Sequence, residues 1–256
     1  MINHSFYNQL LTKNLYKNEN KCPYYNECSS SISGRNKSRF YRTRIGSNYD
    51  NEPIKILVVG QEDVGEAKEY ICCEPCTMEE AGYNPHYLRT FYSVAHILLN
   101  EDELPEDYSK QNMCYPQFEE LRHSFALTNY YKCVFSDNAN NSNINHSKIM
   151  ERNCSENLIK EIEILKPDIL IMQGKNHRTF WNNINYEEVP NTLKTICINN
   201  KNYEIGLYKT TINGKTTYIV DSYHPTSHGI WENEDMLKHF IMLLKTAKEL
   251  CNNSVM

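Results

Sequence analysis

Three short apolar segments, each running into polar residues, constrain the fold of this chain more than any other feature. Residues 56–63 read ILVVGQED, residues 125–133 read FALTNYYKC and residues 218–227 read YIVDSYHPTS. Runs rich in Ile, Leu and Val are typical of strands buried in a parallel sheet. Because ligands bind at the carboxyl ends of strands in open α/β sheets, an acid, an amide and an imidazole gathered there indicate an enzyme site.

Helices are predicted between and around these strands, since apolar residues recur there at helical spacing. The predicted helices are residues 3–18, 85–99, 154–166 and 232–250. A further buried strand, ILIMQG, spans residues 169–174, and residues 203–211 and 215–220 are predicted to form a hairpin about Asn213 and Gly214. Strands that alternate with helices predict an α/β fold, a single-domain three-layer α/β/α sandwich around a mostly parallel sheet of four to five strands.

Two segments are predicted to be loops. Residues 21–50 are rich in Ser and Asn, and residues 137–147 form the low-complexity, flexible stretch DNANNSNINHS. The first loop carries a basic run that could contact phosphates or be simply solvated: Arg35, Lys37, Arg39, Arg42 and Arg44. The formal net charge of -5 argues weakly against nucleic-acid binding, but the distribution of charge matters more than its sum.

Length and composition fit one folded unit. The 256 residues are enough for one large core, and no break in composition divides them, so one domain over residues 1–256 is expected. No stretch approaches the roughly 20 apolar residues of a membrane span. Residues 1–18 are polar and lack the apolar core of a signal peptide. A cytoplasmic, monomeric protein without a membrane partner is the expectation.

The three segments, in this order, resemble those of the uracil-DNA glycosylase superfamily. Its members carry a GQDPYH or GEAPG turn after the first core strand, a strand that ends in Asn, often as TN..KC in the iron–sulfur class, and a late strand that ends in HPS or HPA. The counterparts here are GQEDVG, TNYYKC and HPTSHG. The resemblance is closest to the iron–sulfur, family 4-like class, with a divergent first motif.

The resemblance implies a DNA glycosylase that flips uracil or a modified pyrimidine out of single- or double-stranded DNA and hydrolyses its N-glycosidic bond, leaving an abasic site. Cleavage builds positive charge on the sugar and negative charge on the base, so the site must stabilise both. Glu62 is expected to stabilise the sugar cation, with Asp63 as the alternative, and His224 to donate to the base oxygen. Asn129 would read the base edge, since an amide both donates and accepts.

Further residues of the pocket and the DNA surface follow from the same resemblance. Gly60 and Gln61 form the first turn, and Tyr83 lies near the position of the aromatic residue that stacks on the base. Val64 stands where GQDPYH enzymes have a tyrosine that excludes 5-substituted bases. The pocket could therefore admit larger modified pyrimidines, which would suit a bacterial defence role against phages with modified DNA. The loop after His224 is expected to wedge into the duplex, and its candidate residues are Thr226, Ser227, His228, Ile230 and Trp231.

Ten cysteines in a chain expected to be cytoplasmic indicate metal binding or free thiols and not disulfides. The iron–sulfur glycosylases place a cysteine pair near the N-terminus, one cysteine after TN..K and one at the start of a later helix. The matching residues here are Cys22, Cys28, Cys133 and Cys154. The first pair is separated by five residues, which is wider than the usual CxxC. Four thiolates suit a structural [4Fe–4S] cluster, which the resemblance favours, or zinc as the alternative.

Two other functions are compatible with the sequence. The altered first motif would suit a non-catalytic nucleic-acid-binding protein of the same fold. A small-molecule nucleoside hydrolase built on a similar sheet would need neither the basic run nor a wedge loop.

Overall fold

The computed structural model describes residues 6–15, 22–31, 37–40, 43–60, 88–99, 121–136, 147–174, 178–224 and 227–253. In these ranges the helices are α1 (Phe6–Asn14), α2 (Tyr25–Ser30), α3 (Leu88–Leu98), α4 (Lys148–Leu165), α5 (Arg178–Asn182), α6 (His228–Trp231) and α7 (Glu234–Asn253). The strands are β1 (Lys37–Phe40), β2 (Arg44–Ile45), β3 (Ile56–Gly60), β4 (Ala126–Asn129), β5 (Cys133–Ser136), β6 (Ile169–Gln173), β7 (Tyr186–Glu188), β8 (Lys194–Ile198), β9 (Lys201–Ile212) and β10 (Lys215–Ser222).

A parallel block of four strands forms the centre of the main sheet, in the order β4-β3-β6-β10. Antiparallel strands extend this block at both sides. β2 joins β4, and β9 joins β10 and carries β7 and β8. Within the described ranges this sheet has eight strands and is partly antiparallel, so the predicted four- to five-stranded, mostly parallel sheet is wrong.

The hairpin predicted about Asn213 and Gly214 is confirmed and explains much of this extension. Both residues have positive φ, 49° and 75°, which a two-residue hairpin turn requires and which Asn and Gly adopt readily. The turn places the strand β9 against the edge of β10. Because β9 is 12 residues long, it also pairs with β7 and β8 along its other edge.

Helices cover both faces of the sheet, as predicted. α3 and α7 contribute to an apolar core on one face, which includes Val58 of β3. α1, α4 and α5 contribute to a second core on the other face, which includes Leu57. Neighbouring residues of a strand point to opposite faces, so a strand buried on both sides needs apolar residues throughout. The sequences of the central strands are therefore nearly uninterrupted runs of apolar residues.

Capping sets the bounds of α4. The Ser147 Oγ accepts a hydrogen bond from the Met150 N–H at 3.1 Å, so the helix begins at Lys148 and not at residue 154 as predicted. It ends at Leu165, and the C-cap residue Lys166, directly before Pro167, has a left-handed φ of 48°. None of the helices in the described ranges combines the length and the apolar character needed to cross a bilayer.

The loop predicted over residues 21–50 is wrong, because this segment contains α2, β1 and β2. β1 pairs with β5 and β2 pairs with β4, so partners far along the chain stabilise both strands. Such pairing is a tertiary effect that local composition does not reveal. Of the predicted flexible segment 137–147, all but Ser147 lies outside the described residues.

Candidate active site

The carboxyl ends of the parallel strands bring three of the predicted site residues to one edge of the sheet. Gly60, the last residue of β3, pairs with Asn129, the last residue of β4. On the other side of β3, Ser222 at the end of β10 pairs with Gln173 at the end of β6. His224 follows Ser222 by two residues. An amide and an imidazole therefore lie at the ligand-binding edge of an open α/β sheet.

The Asn129 side chain lies against Gly60, so a larger residue at position 60 would displace it. A Cβ atom at residue 60 would approach the Asn129 Oδ1 to 2.9 Å, closer than side chains normally pack. The Tyr130 N–H also donates to the Gly60 carbonyl at 2.7 Å, which fixes the chain directly after Asn129. The Asn129 amide therefore lies beside bare backbone at the end of β3.

The backbone after β10 anchors His224. Its carbonyl accepts hydrogen bonds from the Ser227 N–H and from the Trp231 indole N–H, both at 2.9 Å. Trp231 is 8 % exposed, and its ring packs edge-to-face on Phe240 with ring centroids 4.9 Å apart. Trp231 is thus a core residue that holds the His224 turn, and its interpretation as an exposed wedge is wrong.

The other predicted wedge residues are described only in part. Ser227 donates to His224, and Ile230 is half-buried and packs against the core. His228 is the first residue of α6, and Thr226 lies outside the described residues. Which of these residues meets DNA stays a prediction.

Most of the first motif also lies outside the described residues, which end at Gly60 and resume at Leu88. This applies to four predicted residues of the motif and to the predicted stacking residue: Gln61, Glu62, Asp63, Val64 and Tyr83. Their roles stay predictions. The position of Gly60 shows where the motif leaves the sheet, directly beside Asn129.

Gln173 shares this edge, although no sequence signal pointed to it. Its Oε1 accepts a hydrogen bond from the Thr90 Oγ1 at 3.0 Å, and both residues are buried. Thr90 lies in the first turn of α3, so the bond ties the start of that helix to the end of β6. The two residues are 83 positions apart, and only the folded chain shows that they meet.

The four predicted metal-binding cysteines converge in the core on the face that α4 covers. All four are buried and come from separate places in the fold: Cys22 before α2, Cys28 in α2, Cys133 at the start of β5 and Cys154 in α4. The thiols of Cys22 and Cys133 share a hydrogen bond, and a negative charge on Cys22 would raise the pKa of Cys28, Cys133 and Cys154. These four residues, which we call the thiol cluster, belong to the same buried core.

Three N–H donors reach three of these sulfur atoms. They are the Asn153 Nδ2 to Cys28 at 3.5 Å, the Lys132 backbone N–H to Cys154, and the Tyr24 backbone N–H to Cys22. Donors of this kind favour the thiolate, which is the form that binds a metal, and they tune the metal group once it is bound.

Burial opposes ionisation at the same thiols. Burial raises the pKa of Cys28 to about 11 and the pKa of Cys154 well above its usual range. The hydrogen bond between Cys22 and Cys133 lowers the pKa of Cys22 and raises that of Cys133. A bound cation would supply the positive charge that four buried thiolates need.

Four soft thiol donors with N–H groups directed at sulfur fit an iron–sulfur cluster or zinc by their chemistry. In the part of the chain that the structure describes, no group of three or more Cys, His, Asp or Glu side chains is arranged to hold a metal ion. The fit therefore rests on the identity and burial of the four thiols.

The basic run is attached to the thiol cluster through strand pairing. β1, which contains Lys37 and Arg39, pairs with β5, whose first residue is Cys133. Arg44 is partly exposed in β2. The other two predicted phosphate contacts lie outside the described residues: Arg35 and Arg42.

The order of these residues along the chain matches one known family. A sequence profile of the uracil-DNA glycosylase superfamily matches residues 84–248, which is more than half of the chain. The chain belongs to the uracil-DNA glycosylase superfamily. A search of curated proteins found no match.

Membership confirms the resemblance inferred from the three motifs at the level of the superfamily. The matched region contains Asn129, His224, Cys133 and Cys154. It begins after the first motif and after the Cys22–Cys28 pair. The assignment to the iron–sulfur class within the superfamily stays a prediction.

Proposed function

We propose that this protein is a DNA glycosylase that hydrolyses the N-glycosidic bond of uracil or of a modified pyrimidine flipped out of DNA. The observation that carries the proposal is the placement of Asn129 across Gly60, on the same sheet edge as His224. An amide beside bare backbone suits a flat base, because the base can approach the backbone closely while its edge hydrogen bonds to the amide. Superfamily membership supports the same class of reaction.

The proposed chemistry divides between the two ends of the broken bond. His224 would donate to the base oxygen as negative charge builds there. Glu62, or Asp63 if the acid stands one residue later, would stabilise the sugar cation and orient water. Two hydrogen bonds to the His224 carbonyl fix the backbone of this residue, which supports this role. A donor such as the imidazole needs less reorganisation during the reaction when the residue that carries it is already in place.

We also propose that the thiol cluster holds a structural [4Fe–4S] cluster, with zinc as the alternative. Its ligands would be Cys22, Cys28, Cys133 and Cys154. The bound group would supply coordination bonds that join α2, β5 and α4, and it would take no part in the reaction. Because β1 pairs with β5, the same bonds would hold Lys37 and Arg39 ready for phosphate contact.

A panel of oligonucleotides tests the proposed reaction. Single- and double-stranded substrates, each with one uracil, thymine or 5-modified pyrimidine, are incubated with the protein, and abasic sites are scored as alkali-labile breaks. We expect breaks at uracil, at a 5-modified pyrimidine, or at both. Intact substrates that still bind at low salt would favour the non-catalytic binding protein. Release of base from free nucleosides alone would favour the nucleoside hydrolase.

A methyl group at residue 60 tests the importance of the Asn129 placement. Gly60→Ala should lower kcat/KM for base release by on the order of 10²-fold, because misplacing a substrate-positioning group by about 1 Å has effects of that size. The matched control is Gly229→Ala, since a Cβ atom there meets nothing within 4 Å. Equal activity of the two variants would show that this contact plays no part in base binding.

A further inference from the structure

A buried charged pair joins the two sides of the segment that carries Asn129. The Lys132 Nζ donates to the Glu161 Oε2 at 2.6 Å, and neither side chain has exposed surface. Two hydroxyls also bind the Glu161 carboxylate. The Thr43 Oγ1 donates to its Oε1 at 2.5 Å, and the Thr128 Oγ1 donates to its Oε2 at 3.2 Å and accepts from the Lys132 Nζ.

These contacts hold the chain immediately before and after Asn129. Thr128 directly precedes Asn129, and Lys132 follows it by three residues. Both side chains bind Glu161 and also contact each other. Residues 128–132 therefore form a closed loop that is anchored to a single carboxylate of α4.

The pair acts from the face of the sheet opposite to the Asn129 side chain. Neighbouring residues of a strand point to opposite faces, so Thr128 points toward α4 and Asn129 points away from it. On its own face, the Asn129 side chain lies against Gly60, and the Tyr130 N–H donates to the Gly60 carbonyl at 2.7 Å. The pair can therefore influence a base bound at Asn129 only through the backbone.

Stability alone does not account for a charged pair at this place. Removing two charges from water costs free energy, and their attraction inside a protein often returns no more than this cost. Apolar side chains of similar volume frequently stabilise a core as well or better. A buried hydrogen-bond network does, however, rigidify the chain and favour one arrangement of it.

We propose that Lys132 and Glu161 are positioning residues for Asn129, whose backbone they hold so that its amide meets the base edge in one orientation. The inference rests on the proposed release of a base from DNA. An amide donates from one atom and accepts at the other, so it recognises a base edge only when its placement is fixed. Misplacing a positioning group by about 1 Å can lower the rate by on the order of 10²-fold.

Two substitutions at Thr128 separate positioning from packing. Thr128→Val keeps the shape of the side chain but removes the hydroxyl that joins β4 to the pair, so kcat/KM for base release should fall roughly 10–100-fold. Thr128→Ser keeps the hydroxyl and should stay close to the wild type. A packing role predicts the opposite order, because the smaller side chain leaves a cavity. Single-turnover release from the preferred oligonucleotide, expressed per folded protein, measures both.

Thr217→Val is the matched control. Thr217 is also a buried threonine of the sheet, and its Oγ1 donates to the Pro167 carbonyl at 2.8 Å. It lies toward the amino end of β10, away from the edge that carries Asn129. This variant should lose some stability and still release base at the wild-type rate. Equal activity of Thr128→Val and Thr217→Val overturns the inference.

A double-mutant cycle tests whether the pair acts through Asn129. If Thr128→Val only misplaces the Asn129 amide, it should cost nothing further in a chain that already lacks this amide. Thr128→Val/Asn129→Ala should therefore release base as fast as Asn129→Ala alone. A general effect on the structure predicts losses that multiply, and that result overturns the inference.

A second double variant covers the case in which Thr128→Val does not fold. Lys132→Met/Glu161→Met removes both charges together, a replacement that buried pairs often tolerate. It should lower kcat/KM to a similar extent, again with no further loss in the Asn129→Ala chain. Wild-type activity of this variant overturns the inference.

The wild type separates this inference from the proposed function. A wild type that releases no base from any oligonucleotide overturns the proposed function and the positioning role with it. An active wild type, combined with Thr128→Val as active as its control or with losses that multiply, overturns the positioning role alone.

Discussion

Replacing His224 with alanine should lower the rate of base release by roughly 10²–10³-fold, the usual loss when one donor to a developing anion is removed. The Ser227 N–H and the Trp231 indole hold the His224 carbonyl, so the substitution removes the imidazole without releasing the turn. Single-turnover release from the preferred oligonucleotide measures the effect. DNA affinity should stay close to that of the wild type, because the imidazole acts on the base and not on the phosphates.

His123→Ala is the matched control for this substitution. His123 lies before β4, away from its carboxyl end, and its Nδ1 shares a hydrogen bond with the exposed Ser47 Oγ at 2.8 Å. It should release base at the wild-type rate. If His224→Ala proves as active as His123→Ala, His224 has no place in the mechanism.

The same assay determines which acid stabilises the sugar. Glu62→Gln should slow base release strongly and spare DNA binding, because the carboxylate acts on the sugar cation and not on the duplex. If Asp63→Asn is the crippling change and Glu62→Gln is mild, the acid stands one residue later and the chemistry is otherwise unchanged.

Replacing Cys154 or Cys133 with serine should have the largest effect on stability. Metal binding is coupled to folding, so the loss of one ligand destabilises the whole thiol cluster. We expect a loss of about 4–5 kcal/mol in the free energy of unfolding, the upper end for single substitutions. In a chain of this size, Tm should fall by on the order of 10 °C. Anaerobically purified wild type should be brown and the variants colourless, as visible absorption and iron analysis would show.

Cys251→Ser is the control for the cysteine variants. Cys251 is also buried, but its Sγ faces the Asp168 carbonyl at 4.0 Å and belongs to the core on the other face of the sheet. This variant should keep the colour. A colourless wild type with stoichiometric zinc would contradict the iron–sulfur cluster and keep the four-thiolate site. A colourless protein without metal would contradict both.

Local sequence patterns determined the central elements of this fold. The apolar runs that became β3, β4, β6 and β10 were predicted as strands, because strands covered on both faces need apolar residues throughout. The turn at Asn213 and Gly214 was predictable as well, since few other residue pairs adopt positive φ twice in succession. Ligands bind at the carboxyl ends of the strands in open α/β sheets. This tendency and the order of the motifs along the chain predicted that Asn129 and His224 lie at the same edge of the sheet.

Elements with remote partners escaped the local pattern. The segments of β1 and β2 were predicted to be loop because neither shows a strong alternation of apolar and polar residues. β1 depends on pairing with β5, and β2 depends on pairing with β4. The antiparallel side of the sheet was also underestimated. β7 is an exposed strand that depends on pairing with β9. β8, in contrast, is joined to β9 by a two-residue turn at Asn199 and Asn200, which both have positive φ, and this local hairpin signal was missed.

The contacts that give the site its chemistry were decided by tertiary structure alone. The sequence by itself determined which residue types stand at the ends of the strands. It contained no sign that Asn129 lies across Gly60, that Thr90 bonds to Gln173, or that Lys132 is paired with Glu161 at zero exposure. Local preferences act over a few residues. In contrast, Lys132 and Glu161 are 29 positions apart in the sequence, and Thr90 and Gln173 are 83 positions apart. Only the packing of α3 and α4 on opposite faces of the sheet brings such groups within hydrogen-bonding distance.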